Sequence, residues 1–157
     1  MNFVVTASVH KMITTKTGDL GKTTCGNKRL DKDDLLVEVV GNIDELQAIL
    51  EIVGEEKVVD DLSQIMGEIG SEIRFKKYDL RIKQMEKEID SAKQNVNGFL
   101  KFKKREALEL NWARTVCRRV ERRIVALNKI QKVDLEILKY FNRLSDYLFL
   151  RAREKDL

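Results

Sequence analysis

The chain contains no proline, and after Gly98 it contains no glycine. Average usage of about 5% would place roughly eight prolines in a chain of this length. Residues 99–157 therefore lack both residue types that stop helices, and any pause there must come from polar turn residues. Sandwiches and barrels depend on Pro/Gly punctuation, so an all-β fold is disfavoured. A hydrophobic content of 43% with a net charge of only +4 argues against disorder. No apolar run approaches the roughly 20 residues of a membrane span, and residues 1–12 lack a signal-peptide core. Cys25 and Cys117 do not make a disulfide framework. The expectation is a soluble, cytoplasmic, mainly helical protein with one domain over residues 1–157.

Hydrophobic spacing predicts four or five helices. Leu36, Val39, Val40, Ile43, Leu46 and Leu50 recur every three or four residues. That stripe sits between Asp33 or Asp34 as N-cap and Gly54 as the residue after the C-cap. A second helix is expected over 58–78, a third and more polar one over 80–95, a fourth over 104–128 and a fifth over 133–153. Asn95-Val96-Asn97-Gly98 reads as a break. Short connections between long amphipathic helices favour an antiparallel bundle. The segment from His10 to Asn27 shows no helical period, and it carries five threonines beside Gly18, Gly21 and Gly26. It is expected to be a loop, ordered by itself or by a ligand.

Charge is sorted along the chain. Residues 31–61 hold eleven acidic and two basic residues, and residues 101–123 hold nine basic and three acidic. Such segregation fits a solvated basic face, a nucleic-acid footprint or complementary surfaces in an oligomer.

Three segments carry candidate chemistry. Thr15-Lys16-Thr17-Gly18-Asp19-Leu20-Gly21-Lys22-Thr23-Thr24 combines glycines, lysines and hydroxyls, the ingredients of a phosphate cradle. It is not a Walker A loop, because only Asp19 and Leu20 separate Gly18 from Gly21-Lys22. On composition alone, a flexible N-terminal segment is the better fit. In the fourth helix Arg114, Arg118 and Arg122 fall at i, i+4 and i+8, forming one ridge beside the apolar stripe, with Glu121 nearby. Guanidinium groups so placed suit a polyanion or a carboxylate-rich partner, or simply a solvated ridge. In the fifth helix Asn142, Ser145 and Asp146 are poor helix formers placed mid-helix, which suggests hydrogen-bond duties. A single histidine, His10, leaves no multi-histidine metal site and weakens any hydrolytic triad. An enzyme built this way works by positioning and charge neutralisation.

Taken together, these segments resemble the PduO-type ATP:cob(I)alamin adenosyltransferases. The family's TKTGDxGxT opening is matched by Thr15 to Thr23, and its E-x-x-G-x-x-DEL core by Glu38 to Leu46 after Lys32-Asp33. Its R-x-x-x-RRxER helix is matched by Arg114 to Arg122, and NRLSDYLF by Asn142 to Phe149. The resemblance implies a five-helix bundle that forms a homotrimer with ATP at the subunit interfaces. The implied reaction moves the 5′-deoxyadenosyl group of ATP onto cob(I)alamin and releases triphosphate.

Carried over by position, Thr15, Lys16, Thr17, Gly18, Gly21 and Thr23 would contact the nucleotide phosphates, with Lys32 near them. Residues 1–30 would form this ATP-binding segment and 31–157 the bundle. Arg118, Glu121, Arg122 and Asn142 would hold ATP from a partner subunit, and magnesium would be held mainly by the phosphates. Asp44 and Arg114 would form an inter-subunit ion pair supporting assembly and catalysis, so that Asp44→Asn should do more harm than Glu55→Gln. Phe99, or else Phe102, would hold the corrinoid, and a corrinoid reductase would supply electrons. No nucleic acid or membrane partner is implied. The chain departs from the family where a Pro-Gly-Gly turn is expected, reading Phe99-Leu-Lys-Phe102-Lys-Lys-Arg105 instead. That departure leaves room for an ATP-binding regulatory relative without corrinoid chemistry, and the basic segment for a nucleic-acid-binding protein.

Overall fold

A computed structural model describes residues 13–71, 78–92 and 100–157. Its order is β1 (Lys22–Cys25), β2 (Lys28–Asp31), α1 (Leu35–Ile52), α2 (Glu56–Ser71), α3 (Asp79–Ser91), α4 (Arg105–Leu127) and α5 (Leu135–Asp156). The described residues hold five helices, but the all-α expectation needs one correction. Residues 22–31 form an antiparallel hairpin in which Thr23 pairs with Leu30 and Cys25 with Lys28. Gly26-Asn27 makes its two-residue turn, and Gly26 takes the positive φ of +58° that such a turn demands. The hairpin cannot accept a side chain at Gly26, since a Cβ there would lie 2.0 Å from the Gly70 carbonyl oxygen of α2. A glycine thus docks the hairpin on the helices.

The helix ends follow from local chemistry. Asp34 caps α1 by accepting a hydrogen bond from the Leu36 N–H at 2.8 Å. At the other end Glu55 N donates to Leu50 O and Gly54 N to Glu51 O, with Gly54 at φ +74°. This is the Schellman pattern that a glycine beyond the C-cap permits. Asp134 caps α5 through the Glu136 N–H, placing its start at Leu135, two residues after the expected Val133. The N-terminus of α4 is capped from afar: Asp156 Oδ1, at the end of α5, accepts from Lys103 N and Lys104 N at 2.8 and 2.9 Å. Those N–H groups hold the Asp156 carboxyl below its ordinary pKa. The expected second helix reaches Ser71 in the described residues, and Tyr78 is the N-cap of α3. The expected break at 95–98 lies outside the described residues.

Every position of the α1 stripe except the half-buried Val40 is buried in one core with Leu110, Cys117, Val120 and Ile124 of α4 and Phe141, Leu144 and Leu148 of α5. Cross-helix pairs set the directions. Gln47 meets Ser63, Arg119 meets Glu45 while Arg123 meets Glu38, and Glu121 meets Asn142 while Glu106 meets Lys155. So α1 runs opposite to α4, and α4 opposite to α5. Charge sorting has an intramolecular part, because the acidic α1 and basic α4 face each other within one chain. Among the described residues, no helix is long and apolar enough to cross a membrane.

Candidate functional site

The glycine–threonine segment folds back on the hairpin. Arg29 of β2 donates to the Thr17 carbonyl and to Thr24 Oγ1, the latter at 3.3 Å, while Thr15 and Thr17 share a hydroxyl hydrogen bond of 2.9 Å. Lys32 N donates to Gly21 O at 2.8 Å. A Cβ added at Gly18 would sit 3.3 Å from Lys32 Nζ, so the ammonium lies directly over the glycine. Thr15, Lys16, Thr17, Gly18, Gly21 and Lys32 are therefore brought together around one cationic, hydroxyl-bearing turn. Lys16 is in the left-handed region at φ 57°, and Gly21 is at φ 75°. Thr23 sits within β1 instead of the turn. Arg29 was not singled out by sequence reasoning; a basic residue three positions after Gly26, on the returning strand, is the signal once the hairpin is recognised.

The second group lies on α4 and α5. Arg114 and Arg118 line a cleft of about 320 Å³ with Ser145, Asp146, Phe149, Leu150 and Arg153 of α5 and with Ile89 and Ala92 at the end of α3. The Arg114 guanidinium stands 5.9 Å over the Phe149 ring and donates to Asn111 Oδ1 at 2.9 Å. Asn142 Nδ2 donates to Glu121 Oε1 at 3.1 Å, which unites two residues of the expected ATP set. Arg122 is exposed and is not among the residues lining the cleft. Ser145 is buried, and its hydroxyl donates back to the Asn142 carbonyl at 2.8 Å. Asp146 accepts from Arg143 at 2.9 Å. The polar residues of this helix face are thus largely satisfied within the chain.

The remaining candidates are unevenly placed. Phe102 is half-buried and meets Phe149 edge-on, with ring centroids 6.0 Å apart, so it borders the cleft. Phe99 lies outside the described residues. Asp44 is exposed on α1, and within one chain the α1–α4 ion pairs are Glu45 with Arg119 and Glu38 with Arg123. Among the described residues, no three His, Cys, Asp or Glu side chains are grouped to hold a metal ion. Cys117 is fully buried; burial pushes its thiol well above the ordinary value, and it donates to the Phe141 carbonyl at 3.4 Å. It is a core residue.

The two groups sit on different parts of the chain. The hairpin packs on α1 and, through Gly26, on α2, whereas the cleft is made by α3, α4 and α5.

Comparison with known proteins gives this arrangement a context. Residues 13–155 match the family model described as cobalamin adenosyltransferase. A corrinoid adenosyltransferase of Bacillus subtilis (strain 168) is 35% identical, the match covering 88% of this chain and 83% of the relative. One from Citrobacter freundii is 34% identical over 90% of this chain and 93% of its own. Among solved structures, a variant PduO-type ATP:corrinoid adenosyltransferase from Lactobacillus reuteri, complexed with ATP, superposes with a TM-score of 0.84. It is 27% identical, over 92% of this chain and 94% of that one. A second variant of the Lactobacillus reuteri enzyme, complexed with cobalamin and ATP, gives 0.81 at 30% identity, over 90% and 89%. A match running from Ile13 to Lys155, backed by relatives above 30% identity along most of both chains, makes this protein a member of the cobalamin adenosyltransferase family.

Proposed function

We propose that the chain transfers the 5′-deoxyadenosyl group of ATP to cob(I)alamin, forming adenosylcobalamin and triphosphate. The observation that carries the reading is the α4–α5 cleft, where Arg114 stands over Phe149 and Arg118 lines the same wall, beside the Glu121–Asn142 pair. In the reaction a cobalt–carbon bond forms at C5′ as the C5′–oxygen bond breaks, and triphosphate departs with the electron pair. The cobalt is the nucleophile, so no side chain has to remove a proton. The protein's task is to hold the reactants in line and neutralise the leaving polyanion. Arg118, Arg122, Lys16 and Lys32 supply positive charge, and Thr15, Thr17 and Thr23 supply hydroxyls. Gly18 and Gly21 let backbone N–H groups approach the phosphates.

A homotrimer with interfacial ATP is supported by the separation of the loop group from the cleft group, since a second copy would bring one against the other. The exposed Asp44 then faces Arg114 of a neighbour. The opposed directions of α1, α4 and α5 support the antiparallel five-helix bundle. Magnesium enters with the triphosphate, because the proposed ATP-binding set contains only one carboxylate, Glu121. Phe102, edge-on to Phe149, takes the corrinoid side of the cleft. The cytoplasm, where ATP is plentiful, is the proposed location, with a corrinoid reductase supplying electrons. Pairing of Arg119 and Arg123 with α1 carboxylates leaves less of the basic 101–123 segment for nucleic acid.

The test is an anaerobic assay with chemically reduced cob(I)alamin and magnesium-ATP, following the visible spectrum and the phosphate released. Light-sensitive adenosylcobalamin with one triphosphate per turnover is the expected result. ATP binding without alkylation would replace this reading with the regulatory relative.

A further inference from the structure

Arg153 is the cleft residue that the catalytic reading leaves without a task. Elsewhere among the described residues, Arg81, Arg119, Arg123, Arg143 and Arg151 each face a carboxylate. Arg153 is half-buried at the cleft wall and faces none of them. The carboxylate nearest in role, Asp146, is engaged by Arg143 at 2.9 Å. An arginine kept in a partly apolar cleft without a carboxylate partner among the described residues is suited to a ligand's oxygen atoms.

The register of α4 against α5 tells which ligand. Glu121 pairs with Asn142 and Cys117 with the Phe141 carbonyl, whereas Glu106 pairs with Lys155 at the opposite end. Arg118 therefore stands at the Asn142 end, with the proposed nucleotide residues. Arg153 stands at the far end, near the start of α4. Phe102 precedes α4 there and meets Phe149 edge-on between the two ends. The apolar lining, Ile89, Ala92, Phe149 and Leu150, suits a large flat ligand more than a triphosphate.

We infer that Arg153 is a corrinoid-binding residue whose guanidinium donates to an oxygen acceptor on the corrinoid periphery, either a ring amide carbonyl or the nucleotide-loop phosphate. This rests on the adenosyltransferase reading and names a residue for its second substrate. The test compares the full-length parent with Arg153→Gln and Arg153→Lys, titrating cob(II)alamin and cob(II)inamide by visible spectroscopy with ATP present. The KM for ATP is measured alongside.

Arg153→Gln is expected to weaken corrinoid binding roughly tenfold, the loss of one charge-assisted hydrogen bond, with the KM for ATP and the saturated kcat unchanged. Arg153→Lys recovers most of the affinity. Loss with both corrinoids assigns the ring amide, and loss with cobalamin alone assigns the phosphate. Unchanged corrinoid binding, or a raised KM for ATP alone, overturns the assignment. If the parent binds corrinoid and ATP but forms no adenosylcobalamin, the adenosyltransferase reading fails while the titration still decides Arg153.

Discussion

The Tyr140 hydroxyl of α5 donates to Asp61 Oδ2 of α2 at 3.2 Å, across 79 residues of sequence. Arg81 Nε of α3 donates to the same oxygen at 2.7 Å, so one buried carboxylate ties three helices together. The Asp61 side chain is only 4% exposed. Burial, followed by the Asp61 charge, drives the Tyr140 phenol far above its ordinary pKa. Removing the carboxylate strands a buried hydroxyl and a partly buried guanidinium. Asp61→Ala should therefore cost about 3–5 kcal/mol, the range for breaking a buried pair on one side. Asp61→Asn should cost about 1–3 kcal/mol, because its amide oxygen still accepts from Tyr140. Urea midpoints at constant m-value measure both, with the exposed Asp60→Ala as control. Equal losses at positions 60 and 61 would contradict the clasp.

Gly26 and Gly21 both hold positive φ, but only Gly26 is crowded. A Cβ at Gly21 meets nothing within 4 Å, while one at Gly26 runs into the Gly70 carbonyl. Gly21→Ala should cost about 1–2 kcal/mol of backbone strain. Gly26→Ala should add to that by pushing the hairpin off α2, and should raise the KM for ATP as the loop loses its base. Thermal unfolding and ATP titration of the two variants give the comparison.

The helices were legible because their stripes and caps are local. Asp34, the 36–50 stripe and Gly54 each act within a few residues of themselves, and the structure uses all of them. The hairpin was missed because each strand is four residues long, too short for alternation to show. Its Gly26-Asn27 turn was the available signal. Asp61 was hidden as one of eleven acidic residues in the 31–61 run. What buries it is Arg81 and Tyr140, twenty and seventy-nine residues away. The opposing charges of α1 and α4 were visible, but sequence cannot tell a pairing within one chain from one between copies. Arg153 escaped because it falls outside the 142–149 segment and only packing brings it to the cleft.

Alkaline stability should respond to Tyr147. Burial, and then the neighbouring Glu55 charge, pushes its phenol up to about 12. A folded-state pKa above the unfolded one means the protonated ring stabilises the fold. That contribution is complete below about pH 10, the ordinary tyrosine value. It is lost as pH climbs from there through 12. Melting temperatures between pH 9 and 12 should fall less steeply for Tyr147→Phe than for the parent. Part of the fall should persist, since Tyr78 and Tyr140 are shifted the same way. Identical slopes would mean that Tyr147 titrates as a free phenol.

Arg118 is exposed at the cleft and faces no carboxylate among the described residues. Its removal should leave the unfolding free energy within about 0.5 kcal/mol of the parent. A lost charge-assisted hydrogen bond is worth about 1.5–3 kcal/mol. Arg118→Ala should thus lower kcat/KM for ATP roughly ten- to a hundredfold. Unchanged kinetics would remove Arg118 from the nucleotide site.

Assembly is tested best at Asp44. Its neighbour Glu45 is engaged by Arg119 within the chain, whereas Asp44 points away from the core and has no partner among the described residues. An interfacial partner such as a neighbour's Arg114 would make Asp44→Asn costly to the oligomer and neutral to the isolated chain. Glu55 is a poor control, because it accepts from Arg151 at 3.0 Å and from Tyr147 at 3.4 Å, with only 14% of its side chain exposed. Glu51→Gln, on the same helix and exposed, is the better one. Truncating one side of a buried interfacial charge pair costs about 2–5 kcal/mol. Asp44→Asn should then weaken trimer formation at least tenfold in sedimentation equilibrium and lower turnover in parallel, while Glu51→Gln leaves both intact. Equal behaviour of the two variants would place Asp44 on a free surface.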